Sequence, residues 1–551
     1  MKNDFTPKLF TLLQEGIPAK QWKKDLLSGL VVGIVALPLA IAFAIASGVP
    51  PEKGLITAII AGFIISAFGG SRVQIGGPTG AFIILVYGVV AQYGIDGLVI
   101  STFMAGFIII GFGIAKLGNY LKFIPYPLIV GFTSGIAVII FTSQLKDLFG
   151  LQDALPADFI GKWNVYAHSW RAVDAHACLI GLIAVVITAF AYRIISFIPG
   201  SLIAIVVCLV LVQWTGWQVP TIENTLGVVR NTFDRPHIPR VDYATIRELI
   251  QPAFAIAVLG AIESLLSAVV ADGMIGGKHR PNAELIAQGG ANIISALFGG
   301  IPATGAIART ATNVKNGGRT PIAGMVHAIT LCIIMLFFAP YAGHIPLSCL
   351  AGILLVVAYN MSEWRNFKHI LKSKSLDITI LLTTFFLTIF FDLIIAIEVG
   401  LVLSSFLFMK RMSETPVLSV ITAETNDEDV LFQKELKYDS EKIIIYEING
   451  PLFFGAARQF QEVLSRIHKQ PKYIILRMRN VPFIDQTGYR ALRDMIRQFE
   501  SKHIQVLLSG VRPELSAEFE SRNIYALIPR ERIFLHIDAA LLYAQDALST
   551  G

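Results

Sequence analysis

Residues 64–81 read IISAFGGSRVQIGGPTGA, and residues 293–306 read IISALFGGIPATGA. A Leu-Ile pair precedes each stretch, at Leu55-Ile56 and Leu285-Ile286, and each stretch runs through Gly-Gly and Pro to Thr-Gly-Ala. Short apolar sequences recur by chance in membrane proteins, but four features in the same order indicate an internal repeat. We therefore predict that the chain consists of two related halves.

Each Thr-Gly-Ala sequence, at 79–81 and at 304–306, is followed by an apolar run too short to span a membrane comfortably. Paired short helices opened by Gly and Pro mark the binding site of secondary transporters. The free N–H groups and the positive dipole end of such a half-helix suit an anion. The alternative is that the glycines only allow close helix packing, but packing does not explain repeated short helices.

The composition places this repeat in a membrane protein. Of the 551 residues, 54% are hydrophobic and 15% are charged, whereas soluble proteins carry about 25% charged residues. Apolar runs that could span a bilayer fill roughly the first 410 residues, and we predict about fourteen of them. An even number places both termini on one side, and the basic N-terminus together with Lys410-Arg411 indicates that this side is the cytoplasm.

The distribution of charge predicts a membrane part and a soluble part. In the tail, strand-like runs alternate with helical patterns, which is typical of an α/β domain. The predicted segments are a cytoplasmic N-terminus at 1–24, a transmembrane domain at 25–412 with repeats near 25–216 and 253–412, a linker at 413–428 and a soluble domain at 429–551.

The sequence has no pattern that is typical of an enzyme. It lacks a Ser-His-Asp arrangement, a Walker loop, HExxH and CxxC, and its four cysteines have no metal-ligand spacing. We therefore expect no catalytic residue, no cofactor and no ATP-driven pump. The net charge of +6 comes without the basic and aromatic cluster of a nucleic-acid binder, so we expect a lipid bilayer and no nucleic acid as partner.

Two charged residues at membrane depth are candidates for function, because ionisable groups are costly there. Glu263 lies well inside the apolar run 253–272, and Ser267 follows one turn later on the same helix face. This pair can take up H⁺ or help to bind Na⁺, and a structural ion pair is the alternative for Glu263. Arg309 lies one turn beyond the second half-helix start, where it can add positive charge near an anion; its alternatives are a partner for Glu263 or a cytoplasmic anchor.

At these motifs the chain resembles the SulP family of anion transporters, the bacterial relatives of solute carrier family 26. The resemblance covers about 20–548 and rests on Gly69-Gly70-Ser71-Arg72, Gly77-Pro78-Thr79 and the stretch from Thr304 to Arg309. The tail resembles a STAS domain, because Asp485-Gln486-Thr487-Gly488 matches its Asp-x-Ser/Thr-Gly loop. The resemblance implies a UraA-like fold of two inverted seven-helix repeats, with a core and a gate. It also implies a homodimer, elevator-type alternating access and a bacterial inner membrane with both termini in the cytoplasm.

The resemblance also implies which residues form the site. The expected substrate-binding residues lie at the two half-helix starts: Thr79, Gly80, Ala81, Gly305, Ala306, Ile307 and Arg309. Glu263, with Ser267, is the main candidate for coupling to H⁺ or Na⁺, because the first helix lacks the carboxylate that some proton-coupled members carry. Thr487 is expected to cap a helix in the tail, and phosphorylation there is the weaker alternative.

Substrate identity stays open at the level of sequence. The stretch from Ala261 to His279 is similar to the DauA-like branch, which suggests a C4-dicarboxylate such as succinate, while bicarbonate and sulfate are alternatives for symport or exchange. A nucleobase permease would not usually carry a STAS tail. A membrane-tethered regulator would not need Glu263 and Arg309 inside the membrane. The STAS domain is expected to bind a cytosolic partner.

Overall fold

The chain divides into two units, residues 1–402 and residues 403–551. The computed structural model describes residues 4–120, 125–153, 155–156, 158–191, 199–233, 235–237, 239, 242–373, 375–391, 393–414, 418–421, 441–454, 471–522 and 524–549.

The described residues up to Glu414 form helices joined by turns and loops, with two very short strands, β1 (Gly76–Gly77) and β2 (Thr304–Gly305). Their helices are α1 (Lys8–Glu15), α2 (Ala19–Ala46), α3 (Pro51–Phe68), α4 (Ile83–Ile114), α5 (Tyr126–Leu148), α6 (Phe159–Ser169), α7 (Ala175–Phe190), α8 (Gly200–Thr215), α9 (Ile222–Leu226), α10 (Tyr243–Ile275), α11 (Pro281–Leu297), α12 (Ile307–Lys315), α13 (Ile322–Ala342), α14 (Leu347–Met361), α15 (Trp364–Ile370), α16 (Ser375–Phe390) and α17 (Leu393–Glu414).

Proline and glycine set many of these helix boundaries. Pro51 and Pro281 stand in the first turn of α3 and α11, where a missing N–H costs no hydrogen bond. Gly216 and Gly276 follow α8 and α10 in the left-handed conformation, which ends a helix at little steric cost. The local sequence therefore fixes where several spans start and stop.

The helices agree with the predicted number of spans. By length and composition, seven described helices can cross a membrane, or eight if the segment that contains α6 and α7, which is bent by 119°, is one span. Gly94, with φ of 70°, divides α4 into two helices. With that division, and with α1, α6, α9 and α15 taken as connecting helices, the described residues contain fourteen helices, seven in each half.

The helices of the membrane unit form two groups. One group contains α2, α3, α4 and α10 to α13, which pack against one another, and the other contains α5, α7, α8, α14 and α16. The first group holds both Thr-Gly-Ala sequences and corresponds to the predicted core. The second corresponds to the predicted gate.

A buried carboxylate ties the start of α2 to the turn before α13. Asp25 is fully buried, and its Oδ1 accepts the N–H of Arg319 at 2.8 Å and an N–H of the Gln21 amide at 3.0 Å. Its Oδ2 accepts the hydroxyl of Thr320 at 2.7 Å. Asp25 therefore holds α2 and the turn before α13 together at one end of the core.

The tail unit contains a five-stranded sheet with the order β3-β4-β5-β6-β7. The strand β3 is antiparallel to β4, and the remaining pairs are parallel. Two helices, α18 and α19, cover one face, and α20 covers the other. The elements are β3 (Leu418–Ile421), β4 (Ile443–Asn449), β5 (Tyr473–Asn480), α18 (Gln486–Ser501), β6 (Gln505–Ser509), α19 (Pro513–Ser521), β7 (Ile533–Phe534) and α20 (Ile537–Ser549).

The tail differs from the sequence-based expectation in two places. The strand β3 lies inside the predicted linker 413–428, so the sheet begins before residue 429. The expectation that Thr487 caps a helix is wrong, because Asp485 caps α18 by accepting the N–H of Gly488 at 2.7 Å. Thr487 is exposed in the first turn of α18. The alternating pattern of the tail also predicts a strand at 430–437 and a helix at 455–468, and both lie outside the described residues.

Replacing Asp25 by Ala should lower the thermal stability of the protein. The change leaves the N–H of Arg319 and the hydroxyl of Thr320 without an acceptor, and a buried donor left unpaired costs about 1–3 kcal/mol. Asp25→Asn keeps one acceptor oxygen and should shift the melting temperature less. The measurement is the apparent Tm of the detergent-solubilised protein, and an Asp25→Ala variant that melts with the wild type would contradict the assigned role.

Candidate functional site

The structure brings the two Thr-Gly-Ala sequences together inside the core. The strands β1 and β2 pair antiparallel, with Gly76 opposite Gly305 and Gly77 opposite Thr304. The N–H of Ala306 extends this pairing by donating to the carbonyl of Ile75 at 2.8 Å. Because β1 leads towards α4 and β2 leads into α12, both half-helices start next to one crossing.

Glycine is required at the crossing because side chains from the other half come very close. Gly77 has φ of +147°, and a Cβ added there would lie 2.5 Å from Nη1 of Arg309. A Cβ added at Gly305 would lie 1.7 Å from Nε2 of Gln74. A larger residue at either position would displace the Arg309 or Gln74 side chain from the other half.

The two half-helix starts keep free hydrogen-bond donors. Within the described part of the chain, Thr79 forms no side-chain cap hydrogen bond to the turn Gly80–Phe82 that opens α4, and Ala306 forms none to α12. The first N–H groups of a helix have no carbonyl one turn earlier, so the amides of Ala81 and Ile307 are donors without a helical partner. Ile307 is 37% exposed. Such uncapped starts, with their positive dipole ends, are suited to an anion.

Side chains of α10 contact the start of each half-helix. The hydroxyl of Thr79 donates to Oε2 of Glu263 at 2.8 Å, and both residues are half-buried. One turn along, the Oγ of Ser267 lies 3.4 Å from Oγ1 of Thr310, which accepts the N–H of Ile75 at 3.0 Å. The two predicted coupling residues therefore reach different halves of the crossing.

Arg309 supports the crossing from inside the core. Its side chain is only 2% exposed, and its Nη2 donates to the carbonyl of Pro78. Its Nη1 lies beside Gly77 and has no hydrogen-bond partner among the described residues. Arg309 forms no ion pair with Glu263, although the structure describes both residues. Its positive charge lies next to the residue before Thr79.

Apolar side chains border the first half-helix start. A Cβ added at Gly80 would lie 2.9 Å from Sδ of Met361, 3.5 Å from Cε1 of Phe43 and 3.6 Å from Cδ1 of Ile140. Phe43 belongs to the core, whereas Ile140 and Met361 lie on the gate helices α5 and α14. The gate therefore contacts the core at the predicted substrate site.

Sequence reasoning missed an amide network on α11. The side-chain N–H groups of Gln288 and Asn292 donate to the carbonyl of Ala303, the second at 3.0 Å. The Oδ1 of Asn292 accepts the N–H of Ala303 at 2.8 Å. Two side-chain amides one turn apart, in the otherwise uncharged and largely apolar stretch 285–294, were the available signal. They fix the loop that leads into β2.

A cavity of about 460 Å³ lies between the core and the gate. It borders α4 just beyond the first half-helix start, and its wall includes the charged residues Lys146, Asp147 and Lys162. The predicted substrate-binding residues do not line it, so this cavity is not the predicted site itself. Thr487 lies in the tail unit. The described residues contain no group of three His, Cys, Asp or Glu that could hold a metal ion.

Comparisons with known proteins match both units. The model of the sulfate permease family matches residues 22–384, and the model of the STAS domain matches residues 436–540. The putative sulfate transporter YvdB of Bacillus subtilis is 40% identical over 533 residues, covering 95% of this chain and 98% of that protein. The bicarbonate transporter BicA of Picosynechococcus is 30% identical over 534 residues, covering 94% of each chain.

Solved structures share the fold. The structure of SLC26A9 matches with a TM-score of 0.87 at 18% identity, covering 99% of this chain and 93% of that one. The transmembrane domain of a cyanobacterial BicA matches with a TM-score of 0.62 at 31% identity, covering 70% of this chain and 98% of that one. These matches confirm the predicted helical membrane fold with a C-terminal STAS domain.

Replacing Arg309 by Ala should abolish anion uptake or raise its apparent KM. The change removes a buried positive charge and leaves the Pro78 carbonyl unpaired; a hydrogen bond to a charged group contributes about 1.5–3 kcal/mol, or roughly 10- to 100-fold. Arg309→Lys should be only partly tolerated, because Lys keeps the charge but lacks the planar fork.

The measurement is initial uptake of labelled sulfate or bicarbonate into proteoliposomes. Lys315→Ala is the matched control, because it removes an exposed positive charge from the same helix. Equal kinetics for Arg309→Ala and Lys315→Ala would show that Arg309 has no role in the anion site.

Proposed function

Because the chain belongs to the sulfate permease family and is a multi-pass membrane protein with a STAS domain, we propose secondary active transport of a small oxyanion as its function. The observation that carries the proposal is the pair of uncapped half-helix starts at the β1–β2 crossing. Free amides in a site away from bulk water attract a negative charge more strongly than they would in water. The proposed substrate-binding residues remain Thr79, Gly80, Ala81, Gly305, Ala306, Ile307 and Arg309.

We rank bicarbonate and sulfate ahead of a C4-dicarboxylate. Among the described residues next to the crossing, Arg309 is the cationic side chain, and the apolar side chains of Phe43, Ile140 and Met361 border the first half-helix start. This arrangement suits one charged head group, whereas succinate has two. The similar proteins YvdB and BicA are named as a putative sulfate transporter and a bicarbonate transporter, which supports the same ranking.

Coupling to a cation follows from the position of Glu263. An ionised carboxylate bonded to Thr79 repels an incoming anion, by about 4 kcal/mol at ~4 Å and an effective dielectric constant near 20. A proton or Na⁺ at Glu263 and Ser267 removes this repulsion. The cation and the anion should therefore bind with positive linkage.

The movement that we propose is an elevator-like displacement of the core along the gate. The crossing, the Asp25 contacts and the α11 amides join the core helices into one body. The gate touches this body at Gly80 through Met361. We further propose a homodimer in a bacterial inner membrane, with the basic N-terminus and the STAS domain in the cytoplasm.

Replacing Glu263 by Gln should separate transport from coupling. Gln mimics the neutral state of the carboxyl group, so the variant should still bind and exchange anion but lose accumulation driven by a cation gradient. The test is uptake of labelled sulfate, bicarbonate and succinate into proteoliposomes, with a pH gradient, a Na⁺ gradient or neither.

The same reconstituted preparations should be assayed for anion exchange without a gradient. Preserved exchange shows that the variant is folded and keeps its anion site. Full gradient-driven accumulation by Glu263→Gln would rule out Glu263 as the coupling residue. Failure of the wild type to transport any of the three anions would overturn the proposed function.

Deleting residues 415–551, which include β3, should leave substrate preference unchanged, because every proposed substrate-binding and coupling residue precedes residue 410. The tail is proposed to regulate the transporter, by binding a cytosolic partner or through Thr487, so maximal rate or trafficking should change. The measurement compares uptake of the three labelled anions by the full-length and truncated proteins. An altered ranking of the anions would contradict the assignment of the site to the membrane unit.

A further inference from the structure

Thr79 has a single hydroxyl proton, and that proton is engaged in a hydrogen bond to Glu263. The hydroxyl donates to Oε2 of Glu263 at 2.8 Å. A threonine hydroxyl has one donor and two acceptor lone pairs, and an ionised carboxylate can only accept. While Glu263 is ionised, Thr79 therefore presents no hydroxyl donor to an anion at the half-helix start.

We propose that Thr79 is a coupling switch. When a cation binds at Glu263, the Thr79 hydroxyl no longer donates to the carboxylate, and it can instead donate its hydrogen bond to the transported anion. This inference rests on the proposed function and specifies how its two sites communicate. A proton from solution adds to the carboxylate of Glu263, and the resulting O–H donates to Oγ1 of Thr79. The hydroxyl of Thr79 then rotates towards the anion.

Sodium produces the same rotation. A Na⁺ ion held by the Glu263 carboxylate is coordinated by a lone pair of Thr79 Oγ1, so the hydroxyl hydrogen must point away from the ion. The anion site then gains a donor and loses a nearby negative charge in a single binding event. The switch therefore does not depend on which of the two cations is used.

The position of Thr79 suits this role. It is the residue immediately before the first half-helix turn, with an extended backbone at φ of −128° and ψ of 159°. Its side chain does not cap that turn, although Thr at this position commonly does. Thr79 is therefore hydrogen-bonded to Glu263 and stands directly before the turn that contains the amides of Gly80 and Ala81.

The corresponding threonine in the other half lacks this property. Thr304 also precedes Gly-Ala, but its hydroxyl donates to the backbone carbonyl of Gly260 at 2.9 Å. A backbone carbonyl cannot take up a proton and become a donor, so the Thr304 proton stays in place in every state. The repeat therefore contains one switchable and one fixed hydroxyl.

Other charged groups near α10 have their own contacts. Arg309 on α12 is bonded to the Pro78 carbonyl, and Glu284 on α11 accepts the N–H of Gly70 at 2.7 Å. At the end of α10, Asp272 lies 2.7 Å from Nδ1 of His279. The remaining titratable residues on α4, α10 and α12 are Tyr87, Tyr93, Asp96, Tyr243, Arg247, Glu248 and Lys315.

The test is equilibrium binding of labelled sulfate and bicarbonate to the full-length protein in nanodiscs. Sulfate is titrated at low and high pH, and both anions are titrated with and without Na⁺ at fixed pH. Thr79→Val should weaken anion binding roughly 10- to 100-fold in the cation-bound state, the amount expected for one hydrogen bond to a charged group. Binding without the cation should change little, so the linkage between cation and anion shrinks.

Four further variants complete the design. Thr79→Ser keeps the hydroxyl and should keep most of the linkage, and Thr79→Ala replaces Thr79→Val if the valine variant is not monodisperse. In Glu263→Gln the amide N–H can donate to Thr79, so anion binding should be cation-independent and still fall on adding Thr79→Val. Thr304→Val is the matched control, because any loss there should be equal with and without the cation.

The outcomes separate this inference from the function on which it rests. If Thr79→Val weakens binding equally in both states, or not at all, Thr79 is not a switch, and Glu263 can still be the coupling residue. If Glu263→Gln keeps the full cation dependence, the coupling site itself is wrong. If the wild type binds neither sulfate nor bicarbonate, the proposed switch and the proposed function are both wrong.

Discussion

The pairing of β1 with β2 is the constraint on which the membrane unit depends. A helix interrupted inside a bilayer leaves backbone N–H and C=O groups without partners, and no water is present to satisfy them. Two interruptions placed side by side satisfy each other, because Gly76 pairs with Gly305 and Ala306 donates to Ile75. This reciprocal need explains why the chain repeats the same interrupted segment in both halves.

Side chains of α3 and α11, the helices that precede the two strands, pair with other backbone N–H groups of the interrupted segments. Thr57 on α3 accepts the N–H of Ile301 from the second half at 2.8 Å. Glu284 on α11 accepts the N–H groups of Gly70 and Ser71 from the first half. Each half therefore completes the loop of the other. This exchange of contacts makes the core one body, which is the condition for moving it as a unit against the gate.

The same crossing places the ionisable Glu263 within one hydrogen bond of the proposed substrate site. Glu263 reaches Thr79 directly, and Ser267 reaches the second half-helix through Thr310. A change of charge on α10 therefore acts on both half-helix starts without a long chain of intermediates. Met361 on the gate lies against Gly80 at the same place, so the contact surface between core and gate passes through the site.

The sequence by itself determined the membrane class, the repeat, the two half-helix starts and the STAS tail, because these depend on local hydrophobicity and on Gly and Pro at fixed spacing. It also singled out Glu263 and Arg309, since charges in apolar runs are visible without a fold. Only the tertiary structure decided their partners. The contacts of Arg309 with Pro78 and of Thr79 with Glu263 join residues separated by about two hundred positions, and hydrogen bonds of that range depend on the crossing of two chain segments, which no local pattern contains.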